Sequence, residues 1–157
     1  MRNGSQVQAV LAALAVADLQ RALEILNSGV PYRFTGVYRL EDSVLVNRAI
    51  VDKLGEPLAA SLAVVPLADS FCRFVVSDGF FQTVDSARDN RLDGSPYQGV
   101  LQSYAAAPIT DSTGNFVIGS LCHFDLVPRQ LGSVDFDLLK RAGRMISARL
   151  LNQPSTS

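Results

Sequence analysis

The segment Asp111-Ser112-Thr113-Gly114-Asn115 separates two apolar runs, Tyr104–Thr110 and Phe116–Asp125. So short a connection joins antiparallel strands, because a parallel pair needs a crossover of roughly a dozen residues or more. Tyr32–Leu40 and Val44–Lys53, around the polar turn Glu41-Asp42-Ser43, repeat the arrangement upstream, and Phe80–Val84 reads as one further short strand. Two hairpins in one short chain point to an antiparallel sheet and away from doubly wound parallel folds.

Helical periodicity brackets the hairpins. From Ser5 to Asn27 apolar residues recur at Val7, Val10, Leu11, Leu14, Ala22, Ile25 and Leu26, the spacing of one helix face. Ser5 caps its start, and Asn27-Ser28-Gly29 with Pro31 ends it. Val16, Leu19 and Leu23 fall off this stripe, so a single helix here is apolar on more than one side. At the other end Ser133 caps a helix whose stripe is Leu138, Leu139, Ala142, Met145, Ile146 and Leu150, before a frayed tail at 152–157. A short helix from Leu67 to Val76 precedes Asp78-Gly79, and Pro96–Gln102 forms a helical turn. With no internal repeat and no linker, residues 1–157 read as one α+β domain.

Charge and composition remove whole classes of function. In 157 residues, 14 Lys and Arg balance 15 Asp and Glu, a formal net charge of -1. Phosphate-binding surfaces need a basic excess, so no nucleic-acid partner is expected. Disorder does not fit a chain that is 48% hydrophobic and 18% charged. At this length roughly 70% of the unfolded surface is buried, enough for one independent core. No apolar run reaches the roughly 18 residues of a membrane span. The run "AVLAALAVA" after Arg2 imitates a signal peptide, but the helical pattern continues past the apparent cleavage site. A cytoplasmic location follows, with Cys72 and Cys122 as reduced thiols.

Catalytic and metal-binding patterns are sparse. The single histidine, His123, adjoins Cys122 in a strand, where neighbours point to opposite faces, so the two make a poor dyad. Two thiols and one histidine do not complete a zinc site. Glycine-rich phosphate loops and the Gly-x-Ser-x-Gly elbow are missing. Asp85, Arg88, Asp89, Arg91 and Asp93 alternate in sign on a turn-rich segment, which suits a self-paired loop or the polar rim of a pocket.

The runs "VPLADSFCRFVVSDGFFQTVDSARDNRL" and "VLQSYAAAPITDSTGNFVIGSLCHFDLVPRQL", closed by an amphipathic helix, resemble a bacterial GAF domain. The resemblance covers essentially the whole chain. It rests on Asp69-Ser70-Phe71-Cys72, then Asp85, Ala87, Asp89 and Arg91, then Ser103-Tyr104, Pro108, Gly114, Gly119-Ser120-Leu121-Cys122 and Asp125. It implies an antiparallel sheet of five or six strands, with the terminal helices on one face and pocket helices and loops on the other.

Phe71–Val75 and Tyr97–Leu101 become the roof of a ligand pocket, with Tyr104 and Cys122 on its floor. The candidate ligand contacts are Phe71, Cys72, Val75, Tyr97, Leu101, Tyr104 and Cys122, and the candidate rim is Asp85, Arg88 and Asp93. Neither the residue set of cyclic-nucleotide-binding GAF domains nor bilin attachment can be laid on these positions, and haem ligation would rest on His123 alone. The family's free methionine sulfoxide reductases use loop cysteines in a number and placement that this chain lacks.

The expectation is a non-catalytic sensory module of signal transduction. An unidentified small molecule enters the pocket, and the terminal helices, as a homodimer, pass the change to a partner or output domain. The alternatives are thiol redox chemistry at Cys72 and Cys122 and a dimerisation scaffold with a collapsed pocket. No cofactor is identified, and no metal is expected.

Overall fold

A computed structural model describes residues 4–151; of the frayed termini expected at 1–4 and 152–157 only Gly4 lies within the described residues, and it begins a helix rather than a frayed end. The order is α1 (Gly4–Ala15), α2 (Leu19–Ser28), β1 (Phe34–Glu41), β2 (Val44–Asp52), α3 (Ala60–Ala63), β3 (Val64–Pro66), α4 (Cys72–Asp78), β4 (Phe81–Thr83), β5 (Ser103–Thr110), β6 (Val117–Asp125), α5 (Ser133–Met145) and α6 (Ala148–Leu151). Six strands form one sheet in the order β3-β2-β1-β6-β5-β4. Every pairing is antiparallel, as the two hairpins require. The fold is the α+β sandwich expected from the sequence.

The first helix departs from expectation. Ala17 adopts a left-handed φ of 60°, and the Asp18 carboxylate accepts a hydrogen bond from the Arg21 backbone N–H at 3.1 Å, capping a new helix. The two helices fold back on each other, with the Gln6 amide donating to the Ile25 carbonyl at 3.1 Å. Breaking the helix lets both stripes reach the core: Val10, Ala13 and Leu14 from α1, and Ala22, Leu23 and Leu26 from α2. The surplus of apolar helix surface, from which a homodimer was expected, is therefore largely absorbed within the chain.

The sheet separates two apolar compartments. On one side α1, α2, α5 and α6 cover Val37, Ala105, Ala107, Ile109 and Leu121. Gly143 of α5 lets that helix sit close against β5, since a Cβ there would lie 2.7 Å from the Pro108 carbonyl oxygen. On the other side α4 and the long loops cover Phe34, Tyr38, Tyr104, Ala106, Cys122 and Phe124. Strand alternation assigns each residue to its side.

β2 changes sides partway. Leu45 faces the second compartment and Ala49 the first, although both are odd-numbered. The register shift that pairs Val37 with Ala49 and Tyr38 with Asn47 leaves Arg48 as the extra residue of a bulge.

Two elements are not apparent in the sequence. They are the four-residue α3 and the edge strand β3. The helix expected from Leu67 begins at Cys72, after a 3-10 turn over Leu67–Asp69. Gly79, at φ 90°, ends it with a left-handed cap. Tyr97–Leu101 forms hydrogen-bonded turns, as expected for the segment over the sheet.

Candidate functional site

The second compartment holds an aromatic recess. Its floor is Tyr38 of β1, Leu45 of β2, Val65 of β3, Tyr104 of β5 and Phe124 of β6; its roof is Ser70, Phe71 and Cys72 with Tyr97 and Leu101, and Leu62 closes one side. The roof is set by local hydrogen bonding. The Ser70 hydroxyl accepts from the Cys72 N–H at 2.8 Å, fixing the entry into α4, and places Phe71 edge-on to Tyr104 with ring centroids 5.5 Å apart. Beneath them Phe34 stacks on Phe124 at 4.8 Å. The recess is nearly filled by its own side chains. A cavity of about 30 Å³ remains, room for one or two waters.

The polar groups of the recess cluster at its floor. The Cys72 sulfur lies 2.5 Å from the Tyr104 hydroxyl and 3.0 Å from the Ser120 hydroxyl. The Cys122 thiol also interacts with Tyr104 and donates weakly to the Gly36 carbonyl at 3.6 Å. Burial pushes all three ionisable groups upward: Cys72 despite its hydroxyl partners, and Cys122 and Tyr104 well above their ordinary values. Both thiols are free and protonated at neutral pH. No charged side chain lines the recess.

Five of the seven candidate contacts meet here: Phe71, Cys72, Tyr97, Leu101 and Tyr104. Val75 and Cys122 are fully buried in the surrounding core and do not line the cavity. The proposed rim is not at the mouth. Arg88 reaches Asp85 at 3.6 Å, and Asp93 accepts from the Gln98 amide, so the charges of this loop pair locally. Asp89 and Arg91 do the same, each oxygen of the carboxylate meeting the guanidinium. That pairing holds the Asp89 carboxyl below its usual range. The sequence reading missed Tyr38, Leu45, Leu62, Val65, Ser70 and Phe124. Alternation with Cys122 carried the signal for Phe124; nothing in the sequence carried one for Leu62.

His123 is on the other side of the sheet from Cys122, as alternation requires. It stacks on Tyr32 with centroids 5.6 Å apart. Its Nδ1 lies 2.6 Å from the Thr35 hydroxyl, which accepts from the Asn27 amide at 2.9 Å. Whether Nδ1 or the Thr35 hydroxyl donates follows the ring tautomer. Lys53 donates to the Asn27 side-chain and backbone oxygens at 2.7 and 2.6 Å. Burial, with Lys53 as a smaller cause, lowers the His123 pKa to about 3. This chain of hydrogen bonds ties α2 to the sheet.

Two larger grooves are open to solvent. One, of about 260 Å³, adjoins the recess and shares Leu62, Tyr97 and Leu101 with it. Arg33 and Asp52 stand at its edge as a two-pronged ion pair at 2.7 and 2.9 Å. The other, of about 440 Å³, lies between β4 and α5 at the sheet edge, where Lys140 stands over the rings of Phe80 and Phe136. Among the described residues no group of three His, Cys, Asp or Glu could hold a metal ion, and no helix is long and apolar enough to cross a membrane.

An antiparallel six-stranded sheet, helices packed on one face and an aromatic recess roofed on the other define a GAF-like fold. Solved structures bear this out. The GAF domain of an Acinetobacter phosphoenolpyruvate-protein phosphotransferase superposes with a TM-score of 0.74 at 11% identity, covering 94% of this chain and 90% of that one. The type II free methionine-R-sulfoxide reductase of Thermoplasma acidophilum gives 0.67 at 22% identity, covering 90% and 94%. The chromophore-binding domain of a bacteriophytochrome from R. palustris gives 0.70 at 14%, covering 90% and 58%. No protein-family model and no curated protein matches the sequence.

These structures correct one expectation. The sparse catalytic patterns of the sequence point to a non-catalytic module, yet free methionine-R-sulfoxide reductases share this architecture along nearly the full chain. The fold accommodates catalysis as well as sensing.

Proposed function

We propose that this chain is the ligand-binding unit of a sensory protein. The recess takes a small molecule, and displacement of its roof is passed through the sheet to α1 and α5. The observation that carries the reading is an aromatic recess with few polar groups, roofed by short elements, on the opposite face of the sheet from two packed helices. Apolar concavities with a few convergent polar groups are the usual form of small-molecule sites. The receiver of the signal is an output domain or a second copy of the chain, docked on the terminal helices; sizing at micromolar concentration tests the copy.

A thermal-shift screen with nucleotides, bilins, haem and metabolites tests the site itself, because a ligand selective for the folded state raises stability by mass action. The expected result is a hit whose shift disappears in Leu101→Trp, which fills the recess. A hit that survives this substitution places binding elsewhere and overturns the assignment.

A specific observation favours a second reading, reduction of a sulfoxide. Two thiols interact with Tyr104, Cys72 in the recess roof and Cys122 in the core beside it, and the structural neighbours include free methionine-R-sulfoxide reductases. In such a reaction the two thiols become a disulfide, the sulfoxide becomes a thioether, and its oxygen leaves as water with the two thiol hydrogens. Turnover of free methionine sulfoxide with dithiothreitol, lost in Cys72→Ser, supports it. Absence of turnover by the unaltered chain ends it.

A further inference from the structure

The wall between the recess and the adjoining groove is a single turn held by two phenols. The Tyr38 hydroxyl donates to the Leu62 carbonyl and the Tyr97 hydroxyl to the Ser61 carbonyl, both at 2.7 Å. Lys53, Leu54 and Glu56 are anchored by Asn27, Arg33 and Asp52, but from residue 57 onward the segment is weakly tied apart from the two phenol bonds. No residue from 53 to 64 is buried, α3 has no side-chain cap, and β3 pairs with β2 at only three positions. Such a segment belongs to the low-stability end of a structure. The recess is nearly full, whereas the groove on the far side of the turn offers about 260 Å³. A ligand larger than water therefore gains room if Leu62 and the turn move outward.

That movement frees both phenol hydroxyls, and the chemistry around them selects what replaces the turn. The Tyr97 hydroxyl is exposed and can turn to water, but Tyr38 is buried, and a buried donor deprived of its acceptor carries a desolvation cost, so the incoming molecule must accept a hydrogen bond there. Phe71, Tyr104 and Phe124 offer ring surfaces for a flat body. No cation lines the recess, and the nearest in the groove, Arg33, is engaged by both oxygens of Asp52. An ionised ligand group placed against the Tyr38 hydroxyl would be buried without a counter-charge.

Resting on the recess as the ligand site, we infer that the ligand is a neutral, planar, carbonyl-bearing molecule whose oxygens replace those of Ser61 and Leu62 as acceptors for Tyr97 and Tyr38.

Benzamide and benzoate, matched in shape and different in charge, test the class on the full chain. Amide chemical shifts locate the probe and give its dissociation constant, and hydrogen exchange follows the turn. At pH 7 benzamide is expected to bind at millimolar concentration, at least about tenfold more tightly than benzoate. The amides of Phe71 and Cys72 should shift, and exchange at 59–63 should accelerate as the turn is displaced. In the unliganded protein, Tyr38→Phe and Tyr97→Phe should each accelerate that exchange by about fivefold, the equivalent of one net hydrogen bond.

Benzoate binding as tightly at the same amides overturns the neutral class and leaves the recess standing as the site. Benzamide perturbing only other surfaces, or nothing at millimolar concentration, overturns both. Unchanged exchange in the two phenylalanine variants overturns the role of the phenols.

Discussion

Acidification isolates His123 as a source of stability at neutral pH. Its ring is neutral in the folded protein, with a pKa lowered to about 3 by burial and, less, by Lys53, whereas an unfolded chain titrates near 6.5. The folded state therefore binds fewer protons than the unfolded one throughout the interval between these values. Stability falls as pH drops through it, by about 1.4 kcal/mol per unit. At pH 5 the loss relative to neutral pH is about 2 kcal/mol, a sizeable fraction of a domain's total.

Urea unfolding at pH 7 and pH 5 reads this loss, with His123→Gln as the reference because glutamine retains a hydrogen-bonding partner for the Thr35 hydroxyl. Asp52 and Asp89, held below the usual carboxylate range by Arg33 and Arg91, lose their contribution only in more acidic solution. Both proteins share them. The unaltered chain should lose about 2 kcal/mol more than the variant. Parallel loss in the two proteins would refute the reasoning, as would a His123 ring resonance titrating near pH 6.5.

Two further substitutions test the packing of the helices. Asp18→Ala removes the cap of α2 and should destabilise the protein by about 1 kcal/mol; if residues 5–27 were one continuous helix, alanine would instead stabilise it, and chemical denaturation separates the two outcomes. Gly143→Ala drives a methyl group into the Pro108 carbonyl and should cost about 1–3 kcal/mol, so a melting temperature equal to that of the unaltered chain would mean that α5 does not sit this close to β5.

Much of the sheet was legible because its signals are local. The turn at 111–115 fixes β5 and β6 as neighbours, and alternation then separates Cys122 from His123 without further information. The roof was not legible in this way: Phe71, Cys72, Tyr97 and Leu101 came from the family resemblance, not from local signals.

What escaped depends on contacts between distant segments. The break at Ala17 interrupts a sequence whose periodicity continues through it; the packing of two stripes against one sheet decides it. The bulge at Arg48 moves Ala49 to the opposite face from Leu45, a reversal no period-two reading anticipates. Residues 58–64 are nearly all apolar yet none is buried, so nothing in the sequence distinguishes Leu62 from its neighbours as part of the site. The charged loop at 85–93 carries the opposite lesson. Its residues looked available for a ligand, but Arg88 and Arg91 find their acids only two or three residues away.

β6 is common property of both halves of this molecule. Its successive residues alternate between the aromatic chamber and the helical layer, Cys122 and Phe124 belonging to one, Leu121 and His123 to the other. Because both sets hang from one backbone, a tilt of this strand would displace them together. The histidine, stacked on Tyr32 and tethered to Thr35, would share any such displacement with the chamber it never touches.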